Sequence, residues 1–263
     1  MRLAKRNFER KLAKDAKKNS KAFHGYMKKK TGNKVTVGPL KDSSGNLVTD
    51  DKLMAEQLNL FFCSVFTQED LSNMPMAENL FAGEEALVDV NITEEKVKQK
   101  LKKLRPDSAP GPDKLWPRVL QRLSDVLAKP LAIIYTRCLG EGTVPPEWKL
   151  ANVAPVFKKG STGNAGNYRP VSLTCVLCKV MESILRDEIV IHLSSNNLIR
   201  PSQHGFMAGK SCLTNLLAYL EELTSLVDKG HAVDIVYLDF AKAFDKVPHR
   251  RLIAKCHGLG IRG

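Results

Sequence analysis

From residue 93 onward the apolar positions of this chain fall into helical step. In "NITEEKVKQKLKKL" Thr93 stands where a helix N-cap belongs, Val97, Leu101 and Leu104 follow at helical spacing, and the pattern stops at Arg105-Pro106. A longer stripe (Leu177, Val180, Met181, Ile184, Leu185, Ile189, Leu193) predicts a helix over 176–194. Another begins at Ser211, runs through Leu213, Leu216, Leu217, Leu220, Leu223 and Val227, and closes at Asp228-Lys229-Gly230. A helix is also predicted over 51–66, capped by Thr49 or Asp50, with Leu53, Leu58, Phe61, Phe62, Val65 and Phe66 on its apolar side. Two more, over 117–128 and 129–141, are expected to meet at Lys129-Pro130, because proline suits the first turn of a helix. Residues 2–30 read as one Lys-rich helix, weakly amphipathic through Leu3, Phe8, Leu12, Ala16 and Phe23.

Between these helices the pattern shortens. "VGPLKDSSGNLVTDD" is turn-rich and predicts two short extended pieces, while 67–90 reads as a loose acidic linker. "LANVAPVFKKG" and "NYRPVSLT" flank a Gly/Ser/Asn turn at 160–167 and predict a hairpin. "RPDSAPGPDKLWP" and "RPSQHGFMAGKS" read as loops, with Trp116 and Trp148 as anchors of the neighbouring helices. Val233, Ile235, Val236, Tyr237 and Leu238 predict a strand that ends at Asp239. The order hairpin, helix, loop, helix, strand predicts an α/β (α+β) class, and no internal repeat is visible.

Composition adds a direction. Residues 1–34 hold 13 of the 41 Lys and Arg against Glu9 and Asp15, so they carry +11 of the formal +13. Such an arm fits a polyanionic partner, nucleic acid before membrane; a solvated helix or leader is the plainer alternative. No run approaches the roughly 18–20 apolar residues of a membrane span. The N-terminus has no apolar segment of a secretory signal and too little Arg for a mitochondrial one. Six scattered cysteines read as reduced and intracellular, and Cys175 and Cys178 of "CVLC" as small core residues rather than half a zinc site.

Asp239 and Asp245 lie at and beyond the exit of the apolar run in "VDIVYLDFAKAFDKVPH". A carboxylate at a strand end is a platform for phosphoryl transfer, because Mg²⁺ is held by one or two carboxylates plus substrate phosphate oxygens. On residue grounds alone, a turn-forming acid at a strand end is the favoured reading of Asp239, and a two-metal site needs a second acid from another strand.

"VYLDFAKAFDKVPH" resembles the first catalytic-Asp motif of reverse transcriptases from non-LTR retrotransposons, the jockey-like group in particular. The stretch from "GPDKLWPRVL" through "EGTVPPEWKLANVAPVFKKGSTGNAGNYRPVSLTCVLCKVMESIL" resembles the family's approach to its polymerase domain and its fingers, and "SQHGFMAGKSCLTNLLAYLEEL" its next block. The resemblance is strongest from residue 105 onward. It implies a right-hand polymerase: a basic helical arm and linker over 1–66, a helical N-terminal extension over 67–149, and fingers with an incomplete palm over 150–263. By that resemblance Asp239 and the main-chain carbonyl of Phe240 bind Mg²⁺. Phe244 resembles the gate that rejects a ribose 2′-OH, and Arg169 with Lys158 or Lys159 resembles the grip on the dNTP triphosphate. Gln203, Gly205, Gly209, Lys210 and Ser211 resemble a loop against template or primer. Met207 stands where the family usually has Arg, which implies one weakened contact.

The implied partners are an RNA template, a DNA primer and dNTPs, in the nucleus or cytoplasm, with no membrane. The family's second block, an aromatic-x-Asp-Asp hairpin, has no match, since the single Asp-Asp pair is Asp50-Asp51. The resemblance therefore implies an N-terminal fragment of an RNA-directed DNA polymerase, inactive by itself, or a nucleic-acid-binding relic.

Overall fold

A computed structural model describes residues 2–17, 20–31, 37–76 and 78–262. The chain divides into two units, 1–58 with 157–169, and 59–156 with 170–263.

In the first unit the basic arm forms two helices, α1 (Arg2–Lys14) and α2 (Ser20–Thr31), with a turn at 15–17 where the sequence predicts a continuous helix. Folding back sets Phe8 edge-on to Tyr26 at 5.6 Å between ring centroids. In one straight helix those residues would stand about 27 Å apart at 1.5 Å per residue. The predicted extended pieces are β1 (Leu40–Lys41) and β2 (Leu47–Val48), antiparallel with Leu40 opposite Val48. Their turn is braced by Asp42, whose carboxylate accepts from the Ser44 and Asn46 amides, and Gly45 supplies the left-handed φ of 85°. Asp50 caps α3 (Asp51–Cys63) by accepting from the Leu53 amide at 2.9 Å. Among the described residues Leu40, Met54, Leu58, Ala165 and Tyr168 are the buried apolar residues of this unit.

The second unit is organised by α4 (Glu94–Lys102), whose cap Thr93 accepts from the Lys96 amide at 3.2 Å. It packs on α5 (Pro117–Arg122), α6 (Ser124–Gly140) and, beyond the hairpin β3 (Ala151–Phe157) and β4 (Tyr168–Thr174), on α7 (Val176–Ser195). Val97, Leu101, Leu131, Tyr135, Val180 and Ile184 form the centre of that core. Pro130 lies inside α6, not between two helices; the break comes at Leu123. Buried Ala128, Leu131, Ala132 and Tyr135 hold the helix through the proline, so packing outweighs the lost hydrogen bond. Trp148 meets Tyr135 edge-on at 5.7 Å as expected of an anchor, whereas Trp116 is more than half exposed.

α8 (Cys212–Asp228) begins at Ser211 as predicted, with a reciprocal capping box between Ser211 and Thr214. Not one residue of its apolar stripe is buried. A last helix, α9 (His249–Gly258), follows Pro248 and was not expected from the apolar pattern. The content is mixed helix and strand, consistent with an α/β class. Among the described residues no helix is long and apolar enough to cross a membrane.

Candidate functional site

The hairpin carries the first candidates. Lys158 follows the last residue of β3, and its amide donates to the Asn167 carbonyl at 2.8 Å, which sets Lys158 and Arg169 on facing arms at the same end. The connecting turn is braced internally. Asn167 Nδ2 donates to the Ser161 carbonyl at 2.8 Å, the Tyr168 hydroxyl donates to the Thr162 carbonyl at 2.7 Å, and Phe157 meets Tyr168 edge-on. Lys158, Lys159 and Arg169 are exposed, and among the described residues none of them joins an ion pair. The lysines of α4 differ. Lys96 pairs with Glu188 at 2.7 Å, Lys98 with Asp125 at 2.8 Å, and Lys100 with Asp187. The hydrogen bond from Lys98 holds the Asp125 carboxyl below the ordinary aspartate range, and that from Lys100 does the same for Asp187. Charge on α4 is thus neutralised within the fold, while charge on the hairpin remains open to an anion.

The acid-bearing segment departs from its expected form. Residues 231–240 are irregular and the predicted strand ending at Asp239 is absent. A strand needs a ladder partner for its N–H and C=O groups, and among the described residues none pairs with this stretch. Leu238 and Phe240 accordingly lie 84% and 80% exposed, and Asp239 between them is exposed too. Side-chain contacts flank the motif. The Tyr237 hydroxyl lies 2.9 Å from that of Tyr219 on α8, and this hydrogen bond raises the Tyr219 pKa. Phe244 packs edge-on against Phe206 at 5.9 Å, and Lys242 Nζ sits 4.4 Å from the centre of the Phe61 ring.

Phe206 belongs to the predicted template loop, so Phe244 and that loop do come together. Within the loop, Gln203 Nε2 donates to the Gly205 carbonyl, Gly209 takes a φ of 75°, and Ser211 serves as the α8 cap. Lys210 donates to the carbonyls of Pro201 and Gln203, which ties the ammonium to its own loop.

A divalent cation takes about six oxygen ligands. Here Asp239 offers one carboxylate and Phe240 one carbonyl. Among the described residues no group of three or more His, Cys, Asp or Glu gathers to hold a metal ion. These residues by themselves do not form a Mg²⁺ site.

Residues 156–263 match the family described as reverse transcriptase (RNA-dependent DNA polymerase). Over 170 residues, 64% of its length, the chain is 32% identical to the RNA-directed DNA polymerase from mobile element jockey of Drosophila melanogaster. The segment 156–263 belongs to the reverse transcriptase family. The chain is also 27% identical over 169 residues to the probable RNA-directed DNA polymerase from transposon BS of the same fly, again across 64% of its length. Over 246 residues, 91% of the chain, it is 24% identical to the transposon TX1 uncharacterized 149 kDa protein of Xenopus laevis. The matches cover 18%, 19% and 18% of those relatives, so the chain spans about a fifth of their length.

Three features of the second unit escaped sequence reasoning. Buried His192 of α7 bonds through Nε2 to the Leu259 carbonyl at 2.8 Å and faces the Phe81 ring; its only signal is its place on the core stripe, eight residues after Ile184. The Cys175 thiol donates to Asp113 at 2.8 Å, and burial followed by that bond raises its pKa. Burial with neighbouring Glu182 pushes the Cys178 thiol up to about 12, so both "CVLC" sulfurs stay protonated. Glu69, which binds the first amides of α9, carries no sequence signal at all.

Proposed function

We propose that this chain is the leading part of a retrotransposon RNA-directed DNA polymerase: a basic arm, a helical extension, the fingers and the first part of the palm. The observation that carries this is the family match across 156–263, which contains the "DFAKAFD" motif at 239–245. In this reading the unpaired cations Lys158 and Arg169 grip a dNTP triphosphate, since phosphoryl transfer is catalysed largely by positioning and charge neutralisation. Phe244 screens the sugar, and Gln203, Gly205, Gly209, Lys210 and Ser211 lie along template or primer. Asp239 and the Phe240 carbonyl contribute to a Mg²⁺ site that requires acids from beyond the described residues.

The test is primer extension on an RNA template with Mg²⁺. It is run on the 263-residue chain and on the chain continued through whatever in-frame codons follow Gly263. Extension is expected only from the continued chain, and is lost in Asp239→Ala. Synthesis by the shorter chain that Asp239→Ala abolishes would overturn the fragment reading. A continued chain that carries an Asp-Asp hairpin and still fails to extend would overturn the polymerase reading.

One observation favours the alternative, a non-catalytic nucleic-acid-binding relic: among the described residues Asp239 belongs to no group of three or more metal-ligating side chains. On either reading the chain binds RNA through phosphate contacts. Fluorescence anisotropy with a single-stranded RNA should show affinity falling at least about three-hundredfold between 50 and 200 mM salt, as for six or more phosphate contacts. Deleting residues 1–34 should flatten that slope; an unchanged slope removes the arm from binding.

A further inference from the structure

The end of α3 and the stretch after it, which from residue 67 has the composition of a linker, make the contacts of a strap. They are tied to 242–262 in matching order along both segments. Phe61 takes the Lys242 ammonium on its ring, and the Thr67 hydroxyl donates to the Lys246 carbonyl at 2.9 Å. Further on, the amides of Leu80 and Phe81 donate to the Gly258 carbonyl, and Leu87 exchanges backbone bonds with Gly260 and Arg262 in a parallel bridge at Ile261. Charge is complementary along the run. Residues 61–90 contain six acids and no Lys or Arg, whereas 242–262 contain six Lys and Arg and one acid.

Glu69 is the pin. Its carboxylate accepts from the amides of Arg250 at 3.0 Å and Arg251 at 2.9 Å, the free N–H groups in the first turn of α9. That helix starts after Pro248, which has no side chain to cap it. Glu69 therefore supplies from a distant part of the chain the cap that the local sequence lacks, with its charge at the positive end of the helix dipole.

We propose that the strap 61–87 positions the Asp239–Phe244 motif by anchoring the chain directly downstream of it, with Glu69 as the positioning residue. The motif has no strand partner among the described residues, so its course depends on Tyr219, Phe206, Phe61 and this anchor. The functional meaning of that positioning rests on the polymerase reading; the strap itself does not.

The test is hydrogen exchange on the full chain, read on peptides covering 240–247, 249–254 and, as a core reference, 97–104. Glu69→Ala should speed exchange of 249–254 about fivefold, the loss of one helix cap, and speed 240–247 with it, leaving 97–104 unchanged. Glu69→Gln keeps an acceptor oxygen and should restore most of the protection. Phe61→Leu, which removes the ring face but not the apolar bulk, should loosen 240–247 alone, and it decides the matter if Glu69→Ala also exposes the core peptide. Faster exchange at 249–254 with 240–247 unmoved would make Glu69 a local cap and overturn the proposal, as would no change at either. Exchange needs no substrate, so failure here leaves the polymerase reading untouched, and failed primer extension leaves the strap untouched.

Discussion

Leu101→Ala is expected to destabilise the second unit by about 3 kcal/mol, within the range for a fully buried leucine cut back to alanine. Leu101 is wholly inaccessible at the meeting of α4, α6 and α7. Removing its isobutyl group loses burial and leaves a void that Val97, Tyr135 and Ile184 can close only in part. A urea titration followed by helical circular dichroism should show the midpoint falling without a change in slope. Leu217→Ala supplies the contrast. It sits on the apolar stripe of α8 at 56% exposure and should change stability by less than about 0.5 kcal/mol. Equal losses at the two positions would mean that α8 is packed in solution and that the assigned core is incomplete.

Gly111→Ala should be nearly as damaging, at about 2–3 kcal/mol. A methyl group there would lie 2.7 Å from the Cα and N of Cys175 and from the carbonyl carbon of Thr174. These are backbone atoms at the start of α7 and cannot rotate aside. The loop 105–116 would have to lift, breaking the bond from the Cys175 thiol to Asp113. A second readout follows from that bond. Burial and Asp113 keep the Cys175 pKa raised in the folded chain, so release should lower it and speed labelling by a thiol reagent at mildly alkaline pH. Gly140→Ala is the control: nothing lies within 4 Å of its added carbon. At the last residue of α6 that change should be neutral or stabilise by less than the roughly 1 kcal/mol of a helix interior. A Gly111→Ala protein as stable as the wild type, with Cys175 still protected, would show that the loop does not dock on α7.

Helices whose apolar residues recur at helical spacing and meet a core were legible from that spacing alone. Val97 and Leu101 after the Thr93 cap, and Val180, Met181 and Ile184, lie on the buried faces of α4 and α7, as their spacing predicts. The family was legible too, because the motif around Asp239 and the blocks before it keep residue types in a fixed order. The strand at 233–239 was not, for a physical reason. Apolar alternation says that a segment suits a sheet, but a strand exists only when another backbone completes its ladder. α8 teaches the same lesson: its leucines predict the helix, but whether they are buried depends on a surface to cover them, and here they are not.

By itself, then, the sequence determined the kind of each strongly periodic element, the concentration of positive charge in the first 34 residues and the family of the last hundred or so. These rest on local spacing, on composition and on an ordered set of residue types. Tertiary structure alone decided that the lysines of α4 are neutralised by Asp125, Asp187 and Glu188 while those of the hairpin are not. It also decided that Pro130 stays inside a helix, and that an apparent linker is a strap whose Glu69 caps α9. Each depends on groups far apart in the chain meeting within hydrogen-bond or packing distance, and no periodicity records such a meeting.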